Sequence, residues 1–508
     1  MKKRFFLYAI ALLVSGPGAT AAVEYEGYTN PTGDKFPIAV YDNVSINATK
    51  NGQPLTEDEQ KAYFNNLKLC GFNVELWEKG SINDTLTLNK WASYLKQKGI
   101  NTILDIRGYT LIRNDVPGNA STPESTLLTN WDALQRVMRN HGNNPYVWGF
   151  CVSDEPNMPN LHTPVYQMTS GQGATLATIN EVNRSKGQKV AYANFAAAAA
   201  PSILGDFYTD DYEHPNPEIY VPNFENFLDH MVDIFDLKFL TFDIYPVISH
   251  SKGPEPVWAI KDHYYNFMDL YSRYSRDRKI PVWLVMLSVE HLSLKANGSL
   301  EWEYPEITEG LLRLQAMNGL AFGMKGLAYW RYGSQGEKVG NILYKTALYD
   351  INKMEKTSVW NAARYVNCDV EQYGKYILNA TYDRGCLALN NKKKYTTSSF
   401  HSFPQFTDTF ECIKKLKFEE DDNEARVLLT HLTGEYGDYV AVVNQDHINR
   451  HKIKLTFYPE NKVKHIKLLY MPANSIGNIG DYGPVDLESL GVNLDLAPGA
   501  LALFKYQK

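Results

Sequence analysis

With 508 residues, the chain is longer than one hydrophobic core usually supports, so we expect at least two domains. Hydrophobic residues make up 44% of the sequence and the formal net charge is −6. This mild acidity argues against nucleic acid or anionic lipid as the main partner, because both require a basic surface. The 34 tyrosines and 9 tryptophans suit stacking against sugar rings, but such residues also fill cores.

The N-terminus has the pattern of a cleavable secretory signal peptide. Residues 2–4 are basic, residues 5–14 form an apolar run too short to span a bilayer, and small residues follow up to Ala22. We therefore expect a signal peptide over 1–22 and a secreted or periplasmic mature protein. No later segment is long and apolar enough to cross a membrane. The five cysteines are few and odd in number for an exported protein, which indicates that disulfides are at most accessory.

Eight apolar runs of strand length follow, and most are separated by stretches long enough for a helical crossover. The runs cover residues 36–41, 72–77, 101–107, 146–153, 189–195, 238–244, 281–288 and 326–331. Amphipathic segments at 57–69, 88–98, 131–141, 174–186, 259–276 and 308–323 predict helices between them. Parallel strands need right-handed crossovers and a closed sheet leaves no edge, so this order predicts an α/β fold, a (β/α)8 TIM barrel.

The pattern changes after the eighth run. Residues 344–366 predict a helix that closes the barrel, and from about residue 374 alternating apolar and polar residues predict short strands. Examples are residues 375–378, 426–430, 439–444, 453–457 and 500–504, whereas the charged run 414–424 predicts a solvated loop. The sequence thus predicts a barrel domain over 23–370 and a C-terminal all-β sandwich domain over 371–508.

The fourth run ends abruptly in two carboxylates, Asp154 and Glu155, followed by Pro156. A strand that is apolar on both faces belongs to a parallel sheet covered by helices, and the C-terminal ends of such barrel strands carry the chemistry. The alternative is a solvated turn in which Pro156 ends the strand because it lacks an N–H. Glu155 has an apolar strand before it and a negative neighbour, and these surroundings favour the protonated form of a carboxyl group.

These features resemble clan A glycoside hydrolases, in which the fourth barrel strand usually ends in Asn-Glu-Pro. The resemblance covers residues 36–331 at the level of strand order, and the segments 148–156, 242–246 and 323–330 resemble more closely a group of secreted bacterial barrel proteins associated with glycan breakdown. In that clan the strand-four Glu is the general acid/base and a Glu at the end of strand seven is the nucleophile. The resemblance implies the acid/base role for Glu155. Asp154 departs from the clan's Asn, and a carboxylate can only accept where an amide could donate.

The second carboxylate has two candidates. Glu290 is the first acidic residue past the seventh run, although it lies two residues beyond it and is equally consistent with a surface loop. Asp243 ends the sixth run, where its alternative role is to anchor a turn. Further candidates for substrate binding, each of which could instead serve only the structure, are Asp42, Asn43, Arg107 in a buried ion pair with Asp105, Asn194, Tyr245, His291 and Trp330.

The sequence therefore predicts a retaining glycoside hydrolase in which Glu155 is the acid/base and Glu290 the nucleophile, with a carbohydrate substrate and no metal or organic cofactor. One alternative is an atypical or substrate-assisted mechanism that uses Glu155 with Asp243 or Asp154. The other is a non-catalytic protein that binds glycans.

Overall fold

The computed structural model of the protein describes residues 25–43, 45–77, 84–106, 124–154, 182, 184, 189–196, 224–229, 231–233, 236–249, 259–260, 264–334, 336–390, 403–419, 425–435, 437–458, 464–470, 485–486 and 491–507. The signal peptide expected over 1–22 lies outside these residues. In the part of the chain that is described, no helix has the length and apolar character needed to cross a membrane.

Eight parallel strands close into a barrel, which confirms the (β/α)8 prediction. Each strand pairs with the next along the chain, and the eighth pairs with the first. The strands are β1 (Ile38–Asp42), β2 (Val74–Trp77), β3 (Asn101–Asp105), β4 (Val147–Asp154), β5 (Val190–Ala196), β6 (Leu240–Asp243), β7 (Val282–Leu287) and β8 (Gly326–Trp330). All eight coincide with the predicted apolar runs to within two residues at each end.

The helices surround the barrel, and local signals define their ends. At the start of the first helix, Thr56 and Glu59 form a reciprocal capping box, and Gly71 ends that helix with a φ of 98°. The principal described helices are α1 (Glu57–Cys70), α2 (Thr85–Gln97), α3 (Glu124–His141), α4 (Tyr264–Arg278), α5 (Glu309–Ala321) and α6 (Ser358–Ile377).

Large aromatic side chains fill the interior of the barrel. The rings of Trp148 and Trp283 stack with centroids 6.0 Å apart, and Phe239 packs against Trp283 at 5.0 Å. Gly326 makes room for them, because a Cβ atom at this position would lie 2.5 Å from the Trp283 ring. The barrel is therefore a packed core, and a site can open only at one of its ends.

The C-terminal region folds as two antiparallel sheets, which confirms the predicted β-sandwich. Its strands are β9 (Ala380–Leu389), β10 (Ile413–Phe418), β11 (Arg426–Gly434), β12 (Gly437–Asn444), β13 (His451–Phe457), β14 (Lys464–Tyr470), β15 (Val485–Asp486), β16 (Gly491–Leu496) and β17 (Leu501–Gln507). One sheet has the order β9-β11-β12-β17-β14-β15 and the other the order β10-β13-β16.

Helix α5 joins the barrel to the sandwich. It is buried from Leu311 to Ala321, because the barrel covers one face and the sandwich another. Asn318 on this helix and Gln445, which follows β12, exchange two amide hydrogen bonds of 2.8 and 3.0 Å. Tyr265 on α4 also donates to Gln445 at 3.0 Å. The junction therefore contains a buried polar network with its partners in both parts of the molecule.

Two local predictions were wrong. Residues 375–378, expected as a strand, form the last turn and the cap of α6, which begins only at Ser358. The charged run from residue 414 was expected as a loop, but its first residues form β10, whose lysines at positions 414 and 415 are exposed. Residues 375–378 continue the buried face of α6, whereas β10 forms because it pairs with β13.

Short strands extend several loops. They are Thr49–Lys50, Gln53–Pro54, Val247–Ile248, Ala259–Ile260, His291–Leu294, Leu300–Glu303, Gly333–Ser334, Glu337–Val339, Ile342–Tyr344, Tyr349–Asp350 and Glu355–Lys356, with a 3-10 turn at Ser45–Asn47. Four of them, in the order Leu300–Glu303, His291–Leu294, Ile342–Tyr344 and Glu337–Val339, form the rim sheet that follows β7 and β8.

Candidate active site

Three polar residues meet at the carboxyl ends of β4, β5 and β6. The side-chain nitrogen of Asn194 donates to Oδ1 of Asp154 and to Oδ1 of Asp243, each at 3.0 Å. Its oxygen accepts a hydrogen bond of 2.8 Å from the hydroxyl of Thr241. Because both carboxylate oxygens lie 3.0 Å from one nitrogen, they are at most about 6 Å apart. We call this group of Asp154, Asn194 and Asp243 the Asn194 bridge.

The strand register explains how the bridge forms. Asp154 is opposite Asn194 across β4 and β5, and Asn194 is opposite Thr241 across β5 and β6. Side chains alternate between the two faces of a strand, so Thr241 and Asp243 share one face of β6. The sequence prediction included three of these four residues. It missed Thr241, although its position two residues before Asp243 was a usable signal.

Glu155, the predicted acid/base, follows Asp154 directly in the chain but lies outside the described residues. Arg107 is also outside them, and Asp105 is the last residue of β3. The roles predicted for Glu155 and Arg107 therefore remain predictions.

Buried aromatic side chains lie near the bridge at the same end of the barrel. Tyr41 is buried at the end of β1, where burial raises the pKa of its hydroxyl well above the ordinary value, with smaller contributions from Cys151 and Asp154. Its ring contacts Trp330, the last residue of β8, at 5.4 Å. Trp330 is half-buried, so it can form part of a wall at the mouth of the barrel.

Aromatic side chains gather beside the mouth, around the rim sheet. His291 is buried, and its ring lies 4.7 Å from Tyr304 and 5.0 Å from Tyr344. The ring of Tyr245, from the segment after β6, lies 5.3 Å from that of Tyr304. Trp302 completes the group, 5.6 Å from His291. We call these five residues the rim cluster. The structure thus brings the predicted residues Tyr245 and His291 together, and adds three aromatic residues that the sequence prediction did not include.

Glu290, the predicted nucleophile, lies just before the rim sheet. Its carboxylate is 3.8 Å from the Nζ atom of Lys345, and its side chain is 34% exposed. Partial burial raises its pKa, Lys345 acts in the opposite direction, and Glu306 and Glu303 add to the increase. Within the described residues, the ion-pair partner of Glu290 is Lys345.

Asp42 lies away from the opening. It is fully buried between β1 and α1, where it accepts a hydrogen bond of 2.8 Å from the hydroxyl of Tyr63. Glu75 on β2 is its neighbour, and burial, followed by the negative charge of Asp42, raises the pKa of Glu75 well above the usual value. The structure thus places Asp42 in the layer between barrel and helices, beside Tyr63 and Glu75.

One group of side chains in the described part of the sandwich has the composition of a metal site: Asp383, Glu411 and His431. Arg384 and Tyr506 both contact the Glu411 carboxylate, Tyr506 through a hydrogen bond of 2.7 Å. His431 lies 3.0 Å from Asp383. These contacts account for the cluster as an ion-pair network, so we assign no metal to it.

No protein-family model and no curated protein matches the sequence. Among solved structures, the chain is similar to xylanase 10B from Thermotoga maritima, with 11% identity, 66% of this chain and 95% of that chain covered, and a TM-score of 0.39. It is also similar to a putative α-galactosidase from Bacteroides fragilis, with 11% identity, 94% and 80% of the two chains covered, and a TM-score of 0.43. For a putative α-L-fucosidase from Bacteroides thetaiotaomicron the identity is 8%, the coverages are 70% and 99%, and the TM-score is 0.40. Like clan A glycoside hydrolases, this chain forms a closed barrel of eight parallel strands. That likeness is established by the strand order of this chain itself.

Proposed function

We propose that the protein is a glycoside hydrolase that cleaves a glycan in the mouth of the barrel and is exported by the signal peptide at 1–22. The observation that carries the proposal is the Asn194 bridge. The amide nitrogen of Asn194 holds carboxylate oxygens of Asp154 and Asp243 no more than about 6 Å apart. Asp154 directly precedes Glu155 in the chain. The rim cluster beside it supplies aromatic faces on which sugar rings can stack.

In this proposal Glu155 donates a proton to the glycosidic oxygen as the bond to the anomeric carbon breaks. A second carboxylate forms a bond to that carbon, and the protonated leaving group departs. Water then attacks the same carbon, Glu155 takes a proton from that water, and the bond to the second carboxylate breaks to release the sugar. Asp243 is our first candidate for this second role, because the hydrogen bond from Asn194 favours its ionised form. Glu290, beside Lys345, is the second candidate.

Three variants test the proposal on activated aryl glycosides and on natural glycans. Glu155→Gln should fold normally and lose about 100-fold or more in turnover, since the amide keeps the shape of the side chain but has no proton to transfer. Asp243→Gly should be inactive until azide is added, and should then form a glycosyl azide of inverted anomeric configuration. Glu290→Gly is the matched control and should remain active without azide.

Other results would change the assignment. Azide rescue at Glu290→Gly with an active Asp243→Gly variant would move the nucleophile to Glu290. Rescue at neither position, with wild-type cleavage established, would support the substrate-assisted alternative. Binding of a glycan without cleavage of any glycan in a broad panel would refute the hydrolase and leave a binding protein.

A further inference from the structure

Arg331 is a buried cation at the mouth of the barrel. It follows Trp330 at the carboxyl end of β8, the same end of the barrel as the Asn194 bridge, and only 4% of its surface is exposed. Its guanidinium carbon lies 4.9 Å from the ring centroid of Tyr344 in the rim cluster and 5.7 Å from that of Trp330. Arg331 therefore lies between the rim cluster and Trp330 at the mouth of the barrel.

The hydrogen bonds of this side chain are incomplete. Nη2 pairs with the carboxylate of Glu337. The same nitrogen donates to the side-chain oxygen of Asn43 at 2.8 Å when the Asn43 amide is oriented so that its nitrogen faces the carbonyl of Gly333. Neither Nε nor Nη1 has an acceptor among the described residues, although both atoms are buried. A buried donor without an acceptor costs roughly 1–3 kcal/mol, and more for a charged group, so such a group in a folded protein requires an explanation.

The backbone holds Arg331 in position. The hydroxyl of Ser288, just past β7, donates to the carbonyl of Arg331 at 3.1 Å, and the ring of Tyr344 flanks the guanidinium. Its counter-charge is less firmly held, because the side chain of Glu337 is 41% exposed and lies on a strand of the rim sheet. Arg331 is thus a fixed cation whose partner is exposed to solvent and whose Nε and Nη1 atoms lack acceptors. Such a group is suited to exchange its partner for an anionic ligand.

We propose that Arg331 determines specificity by recognising an anionic substituent on the sugar, either a carboxylate or a sulfate ester. This inference deepens the proposed function and rests on it for the identification of a glycan as the ligand. The ring of Trp330 or Tyr344 contacts the apolar face of the sugar, and the guanidinium meets its negative group. Glu337 is the competitor that the anionic group displaces.

The test measures binding, so that it does not depend on turnover. In the Glu155→Gln background, titration calorimetry compares oligosaccharides that contain uronic acid with their carboxyl-reduced forms, and sulfated oligosaccharides with their desulfated forms. The Glu155→Gln protein with Arg331 intact should bind the anionic member of one pair with about tenfold or more higher affinity than the neutral member. That difference should decrease as the salt concentration is raised. Which pair shows the preference identifies the substituent.

Two variants distinguish recognition from a structural role. Arg331→Met should abolish the preference for the anionic member of the pair, and Glu337→Gln should increase affinity for the anionic form because it removes the competitor. If Arg331 served only the fold, both variants would lower thermal stability, but neither would change the ratio of affinities for the two members of a pair. Calorimetry together with thermal unfolding of each variant provides that comparison.

Equal affinity for the two members of both pairs, or an unchanged preference in Arg331→Met, would overturn the inference. Cleavage of neutral glycans in that case would leave the proposed hydrolase intact. Conversely, anionic preference without cleavage by the wild-type protein would support Arg331 and refute the hydrolase. The two proposals therefore fail separately.

Discussion

At the scale of single residues, Asn194 controls how the charges of the candidate site are arranged. Its two amide hydrogens go to different carboxylates, and Thr241 fixes the orientation of the amide by donating to its oxygen. An amide is the side chain suited to this position, because it donates twice at one end and accepts at the other. Two carboxylates so close together would otherwise repel each other.

Replacing Asn194 with Asp tests this role. The change keeps the size of the side chain but brings a third carboxylate to Asp154 and Asp243, so the group will retain a proton to higher pH. We expect turnover to fall at least about 100-fold and the acidic limb of its pH profile to move to higher pH. Thr241→Val removes only the orienting hydroxyl, so its fold-loss in turnover should be less than a tenth of that of Asn194→Asp. An unchanged pH profile in Asn194→Asp would exclude the bridge from the chemistry.

Glu75 is a second residue whose environment has a measurable consequence. It is fully buried beside Asp42, and its pKa is raised well above the usual value, by burial first and by Asp42 second. Between the pKa of the unfolded chain, about 4.3, and the raised pKa of the folded state, the native protein holds a proton that the unfolded chain has lost. Stability therefore decreases as the pH rises through this window.

We predict that Glu75→Gln stabilises the protein at pH 7 by on the order of 1 kcal/mol or more, because the neutral amide does not have to take up a proton on folding beside Asp42. The gain should shrink as the pH falls and vanish below about pH 4, where glutamate is protonated in both states. Urea unfolding between pH 4 and pH 8 measures it. A gain that does not change with pH would show that packing, and not the charge, is responsible.

At the scale of structural elements, the barrel interior depends on the pairing of a small residue with a large one. Gly326 on β8 faces Trp283 on β7, and a Cβ atom there would lie 2.5 Å from its ring. Trp283 has little room to retreat, because it stacks on Trp148 and contacts Phe239. Any side chain at position 326 therefore disturbs a layer to which several strands contribute.

Gly326→Ala should lower the free energy of unfolding by about 1–3 kcal/mol, the usual cost of overpacking. In a Trp283→Phe background the same change should cost clearly less, because the smaller ring relieves the clash. Gly340→Ala is the control for backbone strain alone, since Gly340 has a φ of 58° and no atom within 4 Å of the added Cβ. Equal costs for Gly326→Ala in both backgrounds would contradict the steric explanation.

The sequence predicted elements well where both faces of a strand are buried. The eight barrel strands are continuous apolar runs, and that pattern does not depend on what packs against them. Residues 375–378 were predicted as a strand yet end α6, because they continue the buried face of the preceding helical residues. The Asn194 bridge was only partly predictable: strand order brought its members to one end of the barrel, but the hydrogen bonds depend on the register between strands. The same alternation of side chains would have directed Asp42 away from the opening, one residue after the inward-facing Tyr41.

At the scale of the whole molecule, the barrel and the sandwich share a polar network. Asn318 and Gln445 satisfy each other with two hydrogen bonds, and both are completely buried. Gly310, at the start of α5, lies so close to the sandwich that a Cβ atom would be 2.2 Å from the carbonyl oxygen of His447. Contacts this close indicate that the two parts stabilise each other.

Asn318→Leu should destabilise the protein by about 2 kcal/mol or more, because the amide of Gln445 is left buried with fewer partners. Gln445→Leu should have a similar effect, but the double variant should cost less than the sum, since two apolar side chains can replace a matched polar pair. Chemical denaturation of the four proteins gives the coupling free energy. Strictly additive costs would show that the two amides do not act as a pair.

The burial of α5 also constrains the order in which the chain can reach its native state. Residues Leu311 to Ala321 lie between the barrel and strands β11 and β12, so one side of this helix has nothing to cover it until the sandwich has formed. The central strand β12 is in turn flanked by β17, Leu501–Gln507, at the end of the chain. A nascent chain in which β17 has not yet formed would expose the apolar surface of α5, which makes it a target for chaperones and proteases. Loss of β17 is therefore expected to destabilise the barrel as well as the sandwich.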